Sequence, residues 1–452
     1  MSAHPQTLFR FGSNRSSGWP GLGQGPKVWF TMAHLAFDPI RYWGLVDPPR
    51  VAPAQPLPVG GREVLFSAQI GDLAFEIRPL AALKAIDEAW RALARSSIEA
   101  NVFHGPAFML AAQQHLVEAS GQLAALVWDR RSEAQPRLLG LWPLRRSRGT
   151  GHARCLDLRL AASGAPLLDR HLAVEAASAL LAGLRLATPD MTGLTFARVA
   201  LDGPAARALR AAAALSAFHI RERDVRHRPC IWIHDADFLP GKALHACHET
   251  ARALSRHGDV RMVSATAPDD VRDAVELFLA LEASEAARRD VHPILSEARD
   301  AAFCRSLTRT LSHDGEVAVH MLEVGDRLAA ASVPLTSHGH GWVWRTASDA
   351  ALEAGLFDNG PHAAGGPEVQ GAIPALLDLA IGQHLAGNLA GDLLEAAAGR
   401  ADSCSWTGHQ RVGDLILGLG DNARPGNART ALRRALSAMT GWLSRNGWRS
   451  GA

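Results

Sequence analysis

Lysine is nearly absent from this chain of 452 residues: it occurs only at positions 27, 84 and 242, so almost all of the 47 basic residues are arginine. Together with the alanine excess, that skew reads as the codon usage of a GC-rich bacterial genome and not as a device for binding phosphate. The arginines lie scattered among 45 acidic residues and leave a formal net charge of +2. Nucleic-acid binding calls for a clustered basic face with aromatic platforms, so nucleic acid is excluded as a partner. Cysteine is sparse too. The five, at 155, 230, 247, 304 and 404, are odd in number, far apart and without a CxxC pair, which fits reduced thiols better than a disulfide framework. No apolar run approaches the ~18 residues that argue for a membrane span, and the start, MSAHPQTLFRFGSNRSSG, lacks the apolar core of a signal peptide. The cytoplasm is the expected location.

What is present points to an α/β (α+β) protein. Hydrophobic residues make up 47% of the chain, enough for sizeable cores, and the length predicts two or three domains. Residues 1–60 are rich in Gly, Pro and Ser; they bury too little apolar area to offset their ordering entropy and read as a flexible arm. The organising stretch is residues 315–349, GEVAVHMLEVGDRLAAASVPLTSHGHGWVWRTASD. Breaks at Gly325-Asp326-Arg327 and over residues 336–341 divide it into three short runs, the pattern of an antiparallel meander. The same order, helix then three strands, occurs earlier over residues 122–129, 137–144 and 154–160. RLLGLWPL from Arg137 and RLAAASVPL from Arg327 both open on Arg-Leu and close on Pro-Leu, pointing to an internal repeat whose spacing differs by one residue.

Around these meanders, apolar spacing predicts helices over residues 80–95, 107–119, 171–187 and 269–286 and a helix ending near Leu311, with strands over 193–201, 229–234, 259–266, 389–394 and 412–419. Residues 241–257 read as a long helix with Gly258 at its C-terminal cap. This connecting segment, 241–258, divides a first domain over 61–240 from a second over 259–424. The tail, 425–452, carries a basic amphipathic helix, which docks back on the protein, stays solvated, or makes a weak membrane-surface contact.

Taken in order, Trp90, Asn101-x-Phe103-x-x-Pro106, the LLGLWPL strand, Asp202-Gly203-Pro204, Gly258, Leu281-Glu282 and the strand end from Trp344 to Asp349 resemble a GNAT-superfamily acyltransferase. More narrowly, the chain resembles the CelD/BcsL type named for bacterial cellulose biosynthesis, related to the Fem aminoacyltransferases, over roughly residues 75–420. The resemblance implies two tandem GNAT-like folds, each a mixed, largely antiparallel sheet flanked by helices. It implies acetyl-CoA or another acyl-CoA as co-substrate, no metal, and transfer of an acyl group other than an aminoacyl group. The acceptor is expected to be a small molecule or saccharide precursor with an amine or hydroxyl. Two segments depart from the family pattern: residues 283–289 stand where members carry a Gly-Trp-Lys-Gly type segment, and residues 356–361 follow Ser348-Asp349 where members carry Ser-Pro-Gly. They motivate an alternative, a non-catalytic GNAT-like binding or assembly protein of exopolysaccharide or cellulose synthesis.

Acyl transfer from a thioester needs a base, donors for the tetrahedral oxyanion and a site for the CoA pyrophosphate. Glu282, near a helix end, is the candidate base; its other reading is a structural acid pairing with Arg288 or Arg289. Asp349, at the end of the third meander strand, stands where loops present chemistry and equally where an N-cap would stand. The loop with Gly355, Gly360, Gly365, Gly366 and Gly371 precedes a helix, so its amides are candidates to cradle phosphates. Its rival, Arg146-Ser-Arg-Gly149-Thr-Gly151, is followed by a strand and reads as a hairpin turn. Trp342 and Trp344 alternate with Val343, facing one side of the sheet as a pocket wall or as core. His245, Cys247, His248 and Glu249 lack a second ligand cluster and read as a solvated helix surface, so no metal is expected.

Overall fold

The computed structural model describes residues 9–10, 63–131, 136–146, 152–156, 158–216, 218–232, 249–289, 292–338, 340–355, 373, 377, 393–396 and 408–419. Ahead of the first domain, β1 (Phe9–Arg10) pairs with a strand of the second domain. A hairpin of β2 (Phe66–Ile70) and β3 (Leu73–Pro79) leads into a 3₁₀ turn, Leu80–Ile86, and then α1 (Asp87–Ser96). The single helix expected over 80–95 is thus two pieces. Ile86 leaves helical geometry at φ −119°, and Asp87 and Glu88 open the new helix, where acids favour its positive end. A further 3₁₀ turn, Val102–His104, precedes α2 (Pro106–His115), with proline at the position that needs no N–H donor. Then follow β4 (Leu123–Asp129), β5 (Arg137–Arg146), β6 (His152–Cys155), β7 (Leu167–Leu168), α3 (Ala173–Ala187), β8 (Gly193–Ala200), α4 (Pro204–Leu215) and β9 (Phe218–Trp232).

The second domain runs β10 (Val260–Ala265), α5 (Pro268–Arg289), a 3₁₀ turn at Ile294–Ser296, α6 (Ala298–Asp314), β11 (Val319–Val324), β12 (Arg327–Ser337) and β13 (His340–Ser348). The chain continues through α7 (Ala350–Gly355), β14 (Leu393–Ala396) and β15 (Gly408–Leu419). The organising stretch is therefore a three-stranded meander, and its second break is tighter than expected, turning through His338 at φ 43°. Gly258, expected as a helix cap, instead runs at φ 153° against the backbone of Gly325. Among the described residues no helix is long and apolar enough to cross a membrane.

All these strands join one sheet, ordered β1-β10-β11-β12-β13-β14-β9-β15-β8-β6-β5-β4-β3-β2, with β7 on β5. Among the described residues only β6–β8 and β13–β14 pair in parallel. In each domain an antiparallel meander is followed, across a connection that includes a helix, by one parallel strand, as a crossover requires. That shared order, β4-β5-β6-α3-β8 and β11-β12-β13-α7-β14, repeats the duplication read from the two Arg-Leu to Pro-Leu runs. The last strands are exchanged. β9 of the first domain pairs with β14 of the second, and β15 of the second lies between β9 and β8 of the first.

Two cores flank this sheet. One is confined largely to the first domain and includes Phe75, Trp142 and Phe196. Within it, α3 crosses so near the sheet that a Cβ on Gly183 would overlap the Phe75 ring. Gly183→Val is expected to lower stability by about 1–3 kcal/mol or more through overpacking, read as an earlier thermal midpoint with unchanged secondary structure; an unshifted midpoint would show that α3 sits further off. The other core spans both domains. There Phe103 meets Trp342 edge-on at 5.5 Å between ring centroids, and Phe108 meets Phe303 at 5.1 Å and Trp344 at 6.4 Å. The motif from Asn101 builds this seam. The Asn101 carboxamide accepts the Phe103 N–H at 3.1 Å and donates to the Ala165 carbonyl at 2.7 Å, while the Trp90 indole donates to the His104 carbonyl at 2.9 Å.

Candidate functional site

β13 is irregular at one residue. Its parallel pairing with β14 is described from His340 opposite Leu393 to Val343 opposite Ala396. On its other flank Val333 of β12 lies opposite Arg345 and Pro334 opposite Val343, so Trp344 is a bulge residue without an opposite number. Pro334 has no N–H to give the ladder, which is why prolines inside sheets collect at bulges. Beyond the bulge, residues 344–348 have no strand partner on the β14 side among the described residues. Bulges of this kind often mark working sites.

The first domain has the corresponding juncture, but the chain itself fills it. β6 pairs with β8 in parallel from His152 to Arg154. The third strand, expected to reach Leu160, stops at Cys155 because the following residues turn into the gap. Gly164 donates its N–H to the Ala197 carbonyl at 3.0 Å, and the Ala197 N–H reaches the Cys155 sulfur at 3.3 Å. A Cβ on Gly164 would lie 2.5 Å from the Ala197 carbonyl and 2.7 Å from Cys155 Sγ. Residues 160–165 are buried. The same segment meets the other domain, where the Trp344 indole donates to the Leu160 carbonyl at 2.8 Å.

Glu282 lies on α5, 8% exposed. One oxygen accepts the Ile294 N–H at 2.8 Å, and the other is ion-paired with Arg345, the strand residue just after the bulge. One turn further on, Glu285 accepts the Ser348 N–H at 3.0 Å. Together the two carboxylates fasten α5 to β13. Burial, with the Glu282 charge adding to it, pushes the nearby Cys304 thiol up to about 12, so that thiol stays protonated. Asp349 caps α7, its Oδ1 accepting the N–H of Ala351 at 3.0 Å and of Leu352 at 3.1 Å, while Oδ2 pairs with Arg327. Burial opposes its ionisation, but the Leu352 amide and the Arg327 guanidinium outweigh it and hold the carboxyl below the usual range. Trp342 and Trp344 are 1% and 2% exposed and belong to the two-domain core, behind the bulge. Gly360, Gly365, Gly366 and Gly371 lie outside the described residues, as do residues 147–151, His245, Cys247, His248 and the tail. Among the described residues no group of three or more His, Cys, Asp or Glu could hold a metal ion.

Sequence reasoning missed the cleft beside this site. A cavity of about 410 Å³ lies between the domains, walled by Leu116, Glu118 and Arg159 of the first and by Pro293, Glu297 and Asp300 of the second. Arg159 is ion-paired with Asp300 across it. Pro334 inside a strand was the available signal for the bulge; nothing local marks Arg159, because its partner is 141 positions away.

A bulge and a meander backed by two helices stand together in the second domain. Residues 242–356 match the family model for the acetyltransferase (GNAT) domain. That span holds β10 to β13, the bulge and Glu282. With the repeated topology, the fold is α/β, two GNAT-like folds in tandem with a mixed, largely antiparallel sheet flanked by helices. No curated protein matches the chain. Among solved structures, FemX is 10% identical over 73% of this chain and 95% of its own, with a TM-score of 0.47. A tandem GNAT protein from the clavulanic acid biosynthesis pathway is 17% identical over 76% and 99%, with a TM-score of 0.35. The C-terminal domain of a putative lysylphosphatidylglycerol synthetase from Agrobacterium fabrum is 10% identical over 66% and 85%, with a TM-score of 0.41.

Proposed function

We propose that the chain is an acyl-CoA-dependent acyltransferase with one donor site, at the bulge of β13 in the second domain. The observation that carries this reading is the bulge at Trp344, which falls inside the span that matches the acetyltransferase (GNAT) domain. Antiparallel pairing with β12 engages alternate N–H groups of β13, and the others beyond the bulge face away from β12, where they could meet an oxyanion, the charge that most needs stabilising in acyl transfer. The acceptor nitrogen or oxygen attacks the thioester carbonyl, the C–S bond breaks, and the acceptor's proton leaves through solvent while CoA departs as the thiol. The loop with Gly360, Gly365, Gly366 and Gly371 is the proposed cradle for the pyrophosphate. In this reading Glu282 and Asp349 act as positioning residues, since their oxygens are engaged by cations and amides, and Trp342 and Trp344 back the site from the core.

The narrower assignment, a CelD/BcsL-type enzyme using acetyl-CoA in the cytoplasm on a saccharide or other envelope precursor and transferring no aminoacyl group, rests on the sequence resemblance. Titration calorimetry with acetyl-CoA is expected to give one site per chain, because residues 158–165 close the first domain's gap. No heat at millimolar donor would sink the proposal, and two equivalent sites would refute the assignment to one domain. The engaged state of both carboxylates also fits a non-catalytic binding protein. Release of CoA thiol from acyl-CoA in the presence of an acceptor separates the two, since a binding protein releases none.

A further inference from the structure

We infer that Thr346, Ser332, His320 and Ser264 form a proton path that drains the acyl-transfer site, leading from β13 across β12 and β11 to solvent at β10. This rests on the donor site proposed at Trp344, two residues before Thr346. The ladder sets the four side by side on one face of the sheet. Thr346 lies opposite Ser332, Ser332 opposite His320, and His320 opposite Ser264. Opposed side chains stand about 4.5–5.5 Å apart at Cβ, within reach of a hydroxyl or an imidazole. Thr346 Oγ1 and Ser332 Oγ are 3.1 Å apart, and His320 Nδ1 and Ser264 Oγ 2.7 Å. His320 and Ser332 are fully buried, whereas Ser264 is exposed.

The other repeat shows that the fold does not require this row. Counted from the Arg-Leu that opens each repeat, Ser332 matches Trp142, which lies opposite Ala125, itself opposite Ile77. Those three are apolar and buried in the first domain's own core. Beside the polar row, Met262, Leu322 and Ala330 are apolar as well. Burying polar groups costs stability unless each is bonded, so a polar row in the repeat that carries the proposed donor site, and an apolar one in its counterpart, points to use.

In the tautomer with its proton on Nδ1, His320 donates to Ser264 and Nε2 is the accepting nitrogen. As the acceptor's N–H or O–H bond breaks, its proton passes to Thr346 Oγ1 while the Thr346 proton moves to Ser332 Oγ. The Ser332 hydroxyl, which donates to the Arg345 carbonyl at 3.2 Å, turns towards β11 and gives its proton to Nε2. The ring yields its Nδ1 proton to Ser264, and Ser264 yields one to water. Each hydroxyl again holds one proton, and exchange with water restores the first tautomer. Thr346 is the member that meets the acceptor; Ser332, His320 and Ser264 act through it as positioning residues.

The test follows CoA thiol release from acetyl-CoA by the full chain, with hydroxylamine as the probe acceptor. Thr346→Val and His320→Asn are each expected to lower kcat by about 100-fold or more, with KM for acetyl-CoA within about two-fold of the unaltered chain. Thr346→Ser, which restores a hydroxyl, is expected to recover at least about ten-fold of that loss. A fall in kcat below about three-fold, an equal defect in Thr346→Ser and Thr346→Val, or a rise in KM that accounts for the whole defect overturns the inference and leaves the donor proposal standing. If His320→Asn does not fold, as read from its thermal midpoint, the two Thr346 variants decide alone. Acetyl-CoA binding to the unaltered chain without thiol release overturns the inference but not donor binding. No binding of acetyl-CoA at all overturns both.

Discussion

Trp344→Ala is expected to destabilise the chain by about 3–5 kcal/mol, the range for emptying a buried aromatic site. Trp344 is 2% exposed and packs at once against Phe108 of the first domain and Phe303 of the second. Its indole N–H also satisfies the Leu160 carbonyl. Truncation therefore empties the seam and orphans an acceptor inside it. Because the seam belongs to both domains, urea unfolding followed by circular dichroism and by fluorescence is expected to shift for the whole chain in a single coincident transition. Trp344→Phe keeps most of the volume and loses the hydrogen bond, so it is expected to cost about 1–3 kcal/mol. A loss below about 1 kcal/mol for the alanine variant would mean that the domains do not depend on this contact.

Glu282→Ala is expected to cost about 2–3 kcal/mol, below the range for a fully buried pair because the Arg345 side chain keeps some access to water, and for an electrostatic reason. Most of the penalty for breaking a buried pair comes from the charge left behind, here the guanidinium of Arg345, with the Ile294 N–H also losing its acceptor. The pair itself is worth far less than either deletion suggests, because desolvating two ions offsets most of their attraction. The double variant Glu282→Leu with Arg345→Met is therefore expected to recover much of the loss, and a full cycle of denaturation measurements reads the coupling. If the double variant is as unstable as the sum of the singles, the pair is not coupled and the geometry assigned to it is wrong.

Much of this fold was legible because periodicity is local. The three strands over residues 315–349, the long α5 and the Arg-Leu to Pro-Leu repeat all declare themselves within a few residues. β9 did not, and only its final residues were anticipated. Residues 221–227 are exposed and mostly charged, so no apolar alternation announces a strand; its ladder partner, β15, arrives some two hundred residues later. The site divides the same way. Trp342 and Trp344 were readable as one face of a strand, and Asp349 as a cap. The engagement of Glu282 by Arg345 spans 63 positions, and the filling of the first domain's gap depends on Gly164 meeting Ala197 in space. Contacts of that kind have no signature in sequence.

The exchanged strands carry a consequence for the chain as a whole. Severing it between residues 241 and 258 would not release two modules. The amino-terminal piece would keep β9 and lose β15, leaving β8 with an open flank, and the carboxy-terminal piece would keep β15 with nothing beside it and expose the outer edge of β14. Each fragment would present unpaired backbone of the kind that templates aggregation, and each would hold the complement the other lacks. The duplicated folds are thus one cooperative object, in which each repeat supplies a strand that the other needs.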